Sequence, residues 1–335
     1  MKIFIGVGIC VAVISGTLVM DNATAQNMPK IERLENNPII VPEMLPEPDG
    51  ENINGPSVIE VPPWIEVALG KYYLYFAHHA GTYIRMAYAD NLTGPWTVHE
   101  PGTLQLEDTI CNDINESFYA TYRHVASPDV HVDDASQQIR MYFHCPVYVS
   151  GPKADNDSYK QVTLLATSSN GLDFTAGTEP LGNSYFRLFK WHGMHYALGM
   201  PGVFYRSADG LTNFEQGPTL FTRDQRHTAV KVANGKLLVF YTVVGENPER
   251  ILLSEIELAD DWVRWTATDP KVVLEPETAW EGANLAHQHS VRGFSMKPVR
   301  QLRDPALFEA GGRSYLFYSV AGESGIAIAE IFWDE

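Results

Sequence analysis

The stretch that decides the fold of this chain is its last one, residues 302–333, which reads LRDPALFEAGGRSYLFYSVAGESGIAIAEIFW. It contains three short runs of β-branched and aromatic residues, separated by Gly311-Gly312 and by residues 322–325. Short apolar runs divided by glycine turns are typical of an antiparallel meander. This stretch therefore predicts three consecutive antiparallel strands.

Four earlier stretches repeat this design. Each has three strand-like runs and closes in a turn that carries an aromatic residue, and they lie at residues 56–99, 128–174, 185–214 and 228–262. A supersecondary unit repeated along a chain is typical of a β-propeller. The last unit lacks a fourth strand, and residues 37–43 resemble the fourth runs of the other units. The sequence thus predicts an all-β, five-bladed propeller closed by this N-terminal segment in the last blade, with a β-sandwich as the alternative.

Composition is that of a folded protein with an export signal. The chain has 335 residues, of which 45% are hydrophobic and 19% charged. Lys2, an apolar run at 3–20 and Ala23-Thr24-Ala25 predict a signal peptide at 1–25, with a retained membrane anchor as the alternative. We therefore expect a secreted or periplasmic protein, free of the membrane after cleavage, whose residues 26–335 form a single propeller domain.

The net charge limits which partners the protein can bind, and the cysteine content bears on its redox compartment. A formal net charge of −17 argues against nucleic acid and anionic membranes, because phosphate binding needs a basic face. Cys111 and Cys145 remain after signal cleavage. In an oxidising compartment they either pair or stay free, and the sequence leaves both open.

The predicted active face is the end of the propeller that carries the long insertions. These insertions are residues 107–127, 149–160 and 276–303, whereas the turns at the other end are tight. Long loops on a rigid scaffold usually carry binding or catalysis. The polar side chains predicted at this mouth are His79, Tyr122, Arg123, His124, Asp129, Arg187, His227, Glu246, Glu281, Arg303, Asp304 and Glu323.

These residue types suit acid and base chemistry rather than cofactor chemistry. The chain has no glycine-rich phosphate loop between a strand and a helix, so we expect no nucleotide or redox cofactor. His287-Gln288-His289 lacks zinc-site spacing. A hard cation such as Ca²⁺ in the axial channel, near His227, stays open.

Two motifs carry a resemblance to a known group. SPDV at 127–130 and LRDP at 302–305, within a pattern covering residues 37–333, resemble the five-bladed propeller glycosidases, the arabinanase, levansucrase and invertase-like group that includes glycoside hydrolase families 43, 32 and 117. The resemblance implies one carboxylate as base or nucleophile, a second that tunes or stabilises, and a glutamate as proton donor. Asp129 matches the second-blade aspartate of family 43, and Asp304 looks like the stabiliser motif of family 32. The first blade reads Gly55-Pro56 where family 43 has Asp-Pro.

We therefore expect a glycoside hydrolase that acts on a plant or algal oligo- or polysaccharide. Asp304 is the expected base or nucleophile, Asp129 the electrostatic support, and Glu281 or Glu246 the proton donor. Arginines at the mouth suggest uronic or sulfated sugars. Two rival functions are a polysaccharide lyase that uses Tyr122, Arg123 and His124, and a non-catalytic glycan-binding propeller.

Overall fold

The chain folds as the predicted five-bladed β-propeller. The computed structural model describes residues 1, 28–113, 123–148 and 159–333, and these form five antiparallel sheets. The predicted signal peptide lies mainly in residues 2–27, outside the described residues. Among the residues that are described, no helix is long and apolar enough to cross a bilayer.

We number the blades I to V by their inner strands, which surround the axis. These are β2 (Asn54–Glu60), β6 (Ala126–Asp133), β11 (Arg187–Trp191), β15 (Gln225–Ala233) and β19 (Arg303–Ala310). The second strands are β3 (Tyr72–Ala77), β7 (Gln138–Tyr148), β12 (Met194–Gly199), β16 (Lys236–Val243) and β20 (Arg313–Ser319). The third strands are β4 (Tyr83–Ala89), β8 (Tyr159–Ser168), β13 (Val203–Ser207), β17 (Ile251–Glu257) and β21 (Ile326–Phe332).

The outermost strands complete the sheets. They are β5 (Thr97–Gln105), β10 (Gly182–Asn183), β14 (Glu215–Thr219), β18 (Lys271–Leu274) and, in blade V, β1 (Lys30–Arg33), while β9 (Thr175–Ala176) also pairs with β8. Short 3-10 helices lie at Pro42–Met44, Asp49–Glu51, Leu106–Asp108, Ile110–Asp113, Trp262–Arg264 and Ala279–Glu281.

The hydrophobic core lies between neighbouring blades rather than at one centre. Strand β3 shows why, because successive side chains of a strand point to opposite faces and both faces of β3 are covered. Tyr73 and Tyr75 pack against blade II, whereas Leu74 and Phe76 pack against blade V. The other interfaces join blades II and III, III and IV, and IV and V. Five apolar interfaces thus hold the ring together.

The ring is closed by an N-terminal strand in blade V, as predicted, but with a different segment. Strand β1 pairs with β21, whereas the predicted segment 37–43 adds only a bridge between Ile40 and Ile326 at the start of β21. Asn37 still contacts β21 through its side chain, which accepts from Ile328 N at 2.9 Å and donates to Ile328 O at 2.7 Å. Pro38 and Pro42 explain the difference, since proline has no N–H to donate to a ladder.

The inner strands of blades I, II, IV and V have a bulge near their starts, and blade III has the same left-handed backbone just before its inner strand. Each blade has one residue with left-handed backbone at this point, and these are Gly55, Ser127, Tyr185, His227 and Asp304, with φ of 62°, 49°, 66°, 53° and 47°. The pairing register shifts beside this residue in blades I, II, IV and V. Bulges redirect side chains and often lie next to active sites. We call these five residues the mouth ring.

One covalent bond ties blade II to the insertion before it. Cys111 and Cys145 form a disulfide with their Cα atoms 5.9 Å apart. This resolves the pairing that the sequence left open, and it closes a sequence separation of 34 residues.

Candidate active site

Three members of the mouth ring meet at Asp304. The Tyr185 hydroxyl donates a hydrogen bond to Asp304 Oδ1 at 2.7 Å, and His227 Nε2 lies 3.7 Å from the same oxygen. Asp304 is only 2% exposed, and its Oδ2 is buried with no hydrogen-bond partner among the described residues. A buried polar atom without a partner is costly. This oxygen therefore has unused capacity to accept a hydrogen bond.

Burial sets the protonation of these groups. It raises the pKa of Asp304, and the nearby Glu323 carboxylate raises it further. Burial lowers the pKa of His227 well below its ordinary value, helped by Arg226 and Arg303. Burial likewise raises the pKa of Tyr185, and Asp304 adds to this. At neutral pH the centre thus contains an uncharged imidazole and phenol beside a carboxyl group that holds its proton more tightly than usual.

An aromatic wall extends from this centre. The Tyr185 ring lies between His227 at 5.4 Å and His144 at 6.2 Å, measured between ring centroids. His124 meets His144 edge-on at 5.7 Å, so the predicted His124 does lie at the mouth. The guanidinium carbon of Arg187 is 4.3 Å from the Tyr185 ring centroid.

A buried ionic network lies beside Asp304. Glu323 accepts hydrogen bonds from Asn52 at 2.6 Å, Asn54 at 3.1 Å and Arg303 at 2.5 Å, and His79 Nδ1 is 3.3 Å from its Oε2. Burial alone would raise the pKa of Glu323, but His79 and Arg303 lower it to about 2. Two neighbouring carboxyl groups therefore have pKa values shifted in opposite directions, which is typical of acid–base sites.

The arginines at the mouth are largely occupied by the protein itself. Arg226 forms a two-pronged pair with Glu249, and Arg303 is bound by Glu323 and Gln301. Arg123 donates to the backbone and side-chain oxygens of Asn112. Arg187 donates to backbone carbonyls of Thr228 and Phe186, and only its Nη2 is buried without a partner in the described chain. These contacts weaken the expectation of an anionic sugar, because most of the guanidinium groups are used internally.

Asp129 has a structural position instead of the expected place beside Asp304. Its Oδ2 accepts from Leu188 N at 2.8 Å and contacts His131 Nε2 at 2.8 Å. It lies two residues after the mouth ring, where Ser57 and Arg187 occupy the same position in blades I and III. Ser57 accepts from Val130 N at 2.9 Å, so these side chains bond to the inner strand of the next blade. Asp129 is thus part of a repeated latch between blades.

Neither predicted proton donor lies with Asp304. Glu281 is fully buried at the outer edge of blade V, where its oxygens accept from Arg33 Nε at 2.8 Å and Tyr318 OH at 3.0 Å. Its Oε2 accepts from the backbone at Glu277 and Thr278, which caps the 3-10 helix Ala279–Glu281. This glutamate is a structural anchor because Trp280-Glu281-Gly282 belongs to a helix cap, and the structure gives the predicted donor role no support.

Glu246 faces a different partner. Its Oε1 is 3.5 Å from Arg250 Nε, and its contacts are not shared with the mouth ring. Burial raises its pKa, although Arg250 opposes the shift. The structure therefore gives no support for Glu246 as the proton donor to a glycosidic bond placed beside Asp304.

The sequence alone assigns no role to Tyr185, His144, Glu249 or Asn52. Tyr185 carried a detectable signal, because it occupies in blade III the position that Asp304 occupies in blade V. Glu249 and Asn52 carried none, since their roles depend on partners that lie 23 and 271 residues away in the sequence. Tyr122, predicted to bind substrate, lies outside the described residues. Within the described ranges, no group of three His, Cys, Asp or Glu residues is placed to hold a metal ion.

Solved structures with this architecture define the class of fold. An endo-1,4-beta-xylanase of Bacteroides thetaiotaomicron is similar with a TM-score of 0.54 at 13% identity, over 88% of this chain and 90% of its own. A GH43_1 enzyme of Xanthomonas citri complexed with xylotriose gives 0.51 at 12% identity, over 83% and 86%. The GH32 beta-fructofuranosidase of Bombyx mori gives 0.51 at 14%, over 84% and 59%. The chain thus has the five-bladed propeller fold of glycoside hydrolase families 43 and 32.

One relative is similar in sequence as well. The "Uncharacterized protein R118" of Acanthamoeba polyphaga mimivirus is 38% identical over 304 residues, which cover 84% of this chain and 83% of that protein. The chain belongs to the same protein family as this mimivirus protein. No family model matches the chain.

Proposed function

We propose that the protein is a glycoside hydrolase whose reacting carboxyl group is that of Asp304. The observation that carries this is the buried Asp304 Oδ2, which has no partner in the described chain while Tyr185 fixes Oδ1 at 2.7 Å. The likeness to GH43 and GH32 enzymes supports a carbohydrate as the ligand. The Xanthomonas citri enzyme is complexed with xylotriose. By analogy, we propose a neutral oligosaccharide of this kind as the substrate of this protein.

The geometry suggests how the residues divide the work. In its ionised form, Asp304 either takes a proton from a water that attacks the anomeric carbon, or attacks that carbon itself to give a glycosyl ester that water then hydrolyses. In both cases the carbon–oxygen bond breaks and the leaving oxygen takes a proton from solvent. Tyr185 holds the carboxyl group in one orientation and stabilises its charge. The uncharged rings of His227 and His144 form the wall against which the sugar lies. Glu323 remains ionised and supplies the negative field that favours an oxocarbenium-like state.

Hydrolysis of a panel of plant and algal glycans, measured as released reducing ends, tests the proposal. We expect Asp304→Asn to reduce kcat by about 10²- to 10⁴-fold, as for other acid–base groups. Asp133→Asn is the matched control, because Asp133 lies at the far end of the inner strand β6 and bonds to Ser136 and Arg140. Turnover that survives in Asp304→Asn would remove Asp304 from the reaction.

A polysaccharide lyase is the second candidate, and one observation favours it. A phenol and a neutral imidazole, Tyr185 and His227, lie at 5.4 Å between ring centroids beside Arg187, and such groups can remove a proton α to a uronate carboxylate. Unsaturated products that absorb in the ultraviolet would identify this reaction. Glycan binding with neither reducing ends nor unsaturated products would indicate a non-catalytic propeller.

We further propose that the mature protein is secreted or periplasmic. The Cys111–Cys145 disulfide supports this, because disulfides persist in oxidising compartments. The expected axial cation also stays a prediction, and no step of the reaction is assigned to it.

A further inference from the structure

An exposed aromatic residue stands at the edge of the candidate site. Phe294 is 39% exposed, and it lies in the insertion between β18 and β19 with Val291 at 68% and Met296 at 40%. Exposed apolar clusters usually mark a binding surface. Position and anchoring distinguish this cluster from the scattered exposed apolar residues elsewhere on the described surface.

The backbone on both sides of Phe294 is held by the buried ionic network. The Gly293 carbonyl accepts from Arg226 Nη1 at 3.0 Å and from Arg303 Nη1 at 3.3 Å. The Ser295 carbonyl accepts from Asn52 Nδ2 at 3.1 Å. Arg303 and Asn52 also hold Glu323. The side chains that fix the reacting centre therefore also fix the position of this ring.

The ring faces the centre through His79. The centroids of Phe294 and His79 are 5.5 Å apart with planes at 40°, and His79 contacts Glu323. His79 also influences the pKa values of Asp304, His227 and His144, which places it within electrostatic reach of all three. The His79 side chain thus lies between Phe294 and the candidate reacting groups.

We propose that Phe294, in a segment that also exposes Val291 and Met296, is a stacking platform for a sugar ring of the substrate that neighbours the ring held at Asp304. The occupant is a neutral pyranose or furanose, because its apolar C–H face matches an aromatic face while its hydroxyl edge meets the polar His79. Because the backbone beside Phe294 is already fixed, little conformational entropy of the protein is lost when a sugar binds to its ring. The proposal rests on the proposed function and identifies where a longer substrate would extend.

Binding by catalytically silent protein tests the platform. The Asp304→Asn protein is probed on an array of plant and algal oligosaccharides, alone and combined with Phe294→Ala or Phe294→Trp. Phe332→Ala is the matched control, since Phe332 is 40% exposed but lies at the end of β21 opposite Lys30. We expect Phe294→Ala to weaken glycan binding by about 5- to 10-fold, as loss of one stacking contact predicts, and Phe294→Trp to retain it.

Kinetics separate this proposal from the function it rests on. In the active enzyme, Phe294→Ala should raise KM for longer oligosaccharides and leave kcat unchanged, because a remote contact is made equally in ground and transition states. Binding by Phe294→Ala that equals that of Phe332→Ala would overturn the platform while hydrolysis stands. Array binding that depends on Phe294 without any hydrolysis would overturn the hydrolase and keep the platform. An array with no bound glycan, together with no released reducing ends, would overturn both.

Discussion

Asp304 and Tyr185 occupy equivalent positions at the inner-strand starts of blades V and III, and both have left-handed backbone, with φ of 47° and 66°. Left-handed backbone is unfavourable for residues with a Cβ, yet four of the five mouth-ring residues are not glycine. The five-fold repetition of this conformation brings side chains from different blades within hydrogen-bonding distance. The site is therefore a product of repetition.

Tyr185→Phe tests the link between these two residues. Its hydroxyl donates to Asp304 and lowers the pKa of that carboxyl against the raising effect of burial. Without it, the pKa of Asp304 should rise further, so the acid limb of kcat/KM should move to higher pH. We expect kcat to fall about 10- to 100-fold, the value of a hydrogen bond to a charged group. An unchanged pH profile would show that Tyr185 does not act through Asp304.

Asp129→Ala tests the latch between blades II and III. It removes the acceptor for Leu188 N and the partner of His131, so the free energy of unfolding in urea should fall by about 2 kcal/mol. Ser57→Ala, the equivalent change in blade I, should cost about 1 kcal/mol. The kcat of the folded Asp129 variant should be unchanged. A large loss of kcat with unaltered stability would return Asp129 to the reaction.

At the scale of single elements, the sequence predicted the strands well and the closing strand poorly. Turns such as Gly94-Pro95-Trp96 are local signals, so they mark blade ends without knowledge of the rest of the chain. Strand β1 reads Lys-Ile-Glu-Arg, and its alternating exposure suits an outer strand but is too short to stand out. Residues 37–43 are more apolar because Ile39 and Ile40 fill the interface between blades V and I.

The same limit applies to the predicted site residues. Asp304 was predicted because it opens a strand in a recognisable motif, and its neighbour Glu323 follows the next strand. Glu281 also looked functional from its local sequence. Its partner Arg33 lies 248 residues away, so the ion pair was invisible until the ring was closed.

Glu281→Gln tests the anchor between β1 and the last insertion. Arg33 would lose its buried partner, so we expect the free energy of unfolding to fall by about 2 to 3 kcal/mol. Glu277→Gln is the matched control, because Glu277 binds the same arginine but its side chain is 64% exposed, and its loss should cost less than about 1 kcal/mol. The kcat of folded Glu281→Gln should match the parent. Loss of kcat without loss of stability would restore Glu281 as a proton donor.

At the scale of the whole molecule, buried histidines make stability depend on pH. Burial lowers the pKa of His144 and His227 well below 6.5 and that of His78 to about 4. The unfolded chain therefore binds more protons below pH 6.5, and stability should fall as pH falls. Each such imidazole contributes about 1.4 kcal/mol per pH unit.

Urea midpoints measured between pH 6.5 and 4.5 check this dependence. Glu323, with its pKa lowered to about 2, adds a loss of the same sign below pH 4.5. Asp304 acts in the opposite direction, since its raised pKa adds stability as pH falls through it. His227→Gln removes one of these imidazoles, so the number of protons taken up on unfolding in this pH range should fall by about one. A midpoint independent of pH in this range would show that these imidazoles are protonated in the native protein.

The pairing of Lys30–Arg33 with β21 has a consequence for the order in which the protein is made. The early segment leaves the ribosome long before Ile326–Phe332 has been translated, so its partner does not yet exist. The edge of the last blade and the apolar faces beside it therefore stay uncovered until synthesis is nearly complete. Closure of the ring is thus a late step of biogenesis. Chains truncated near residue 326 should therefore associate with one another instead of folding.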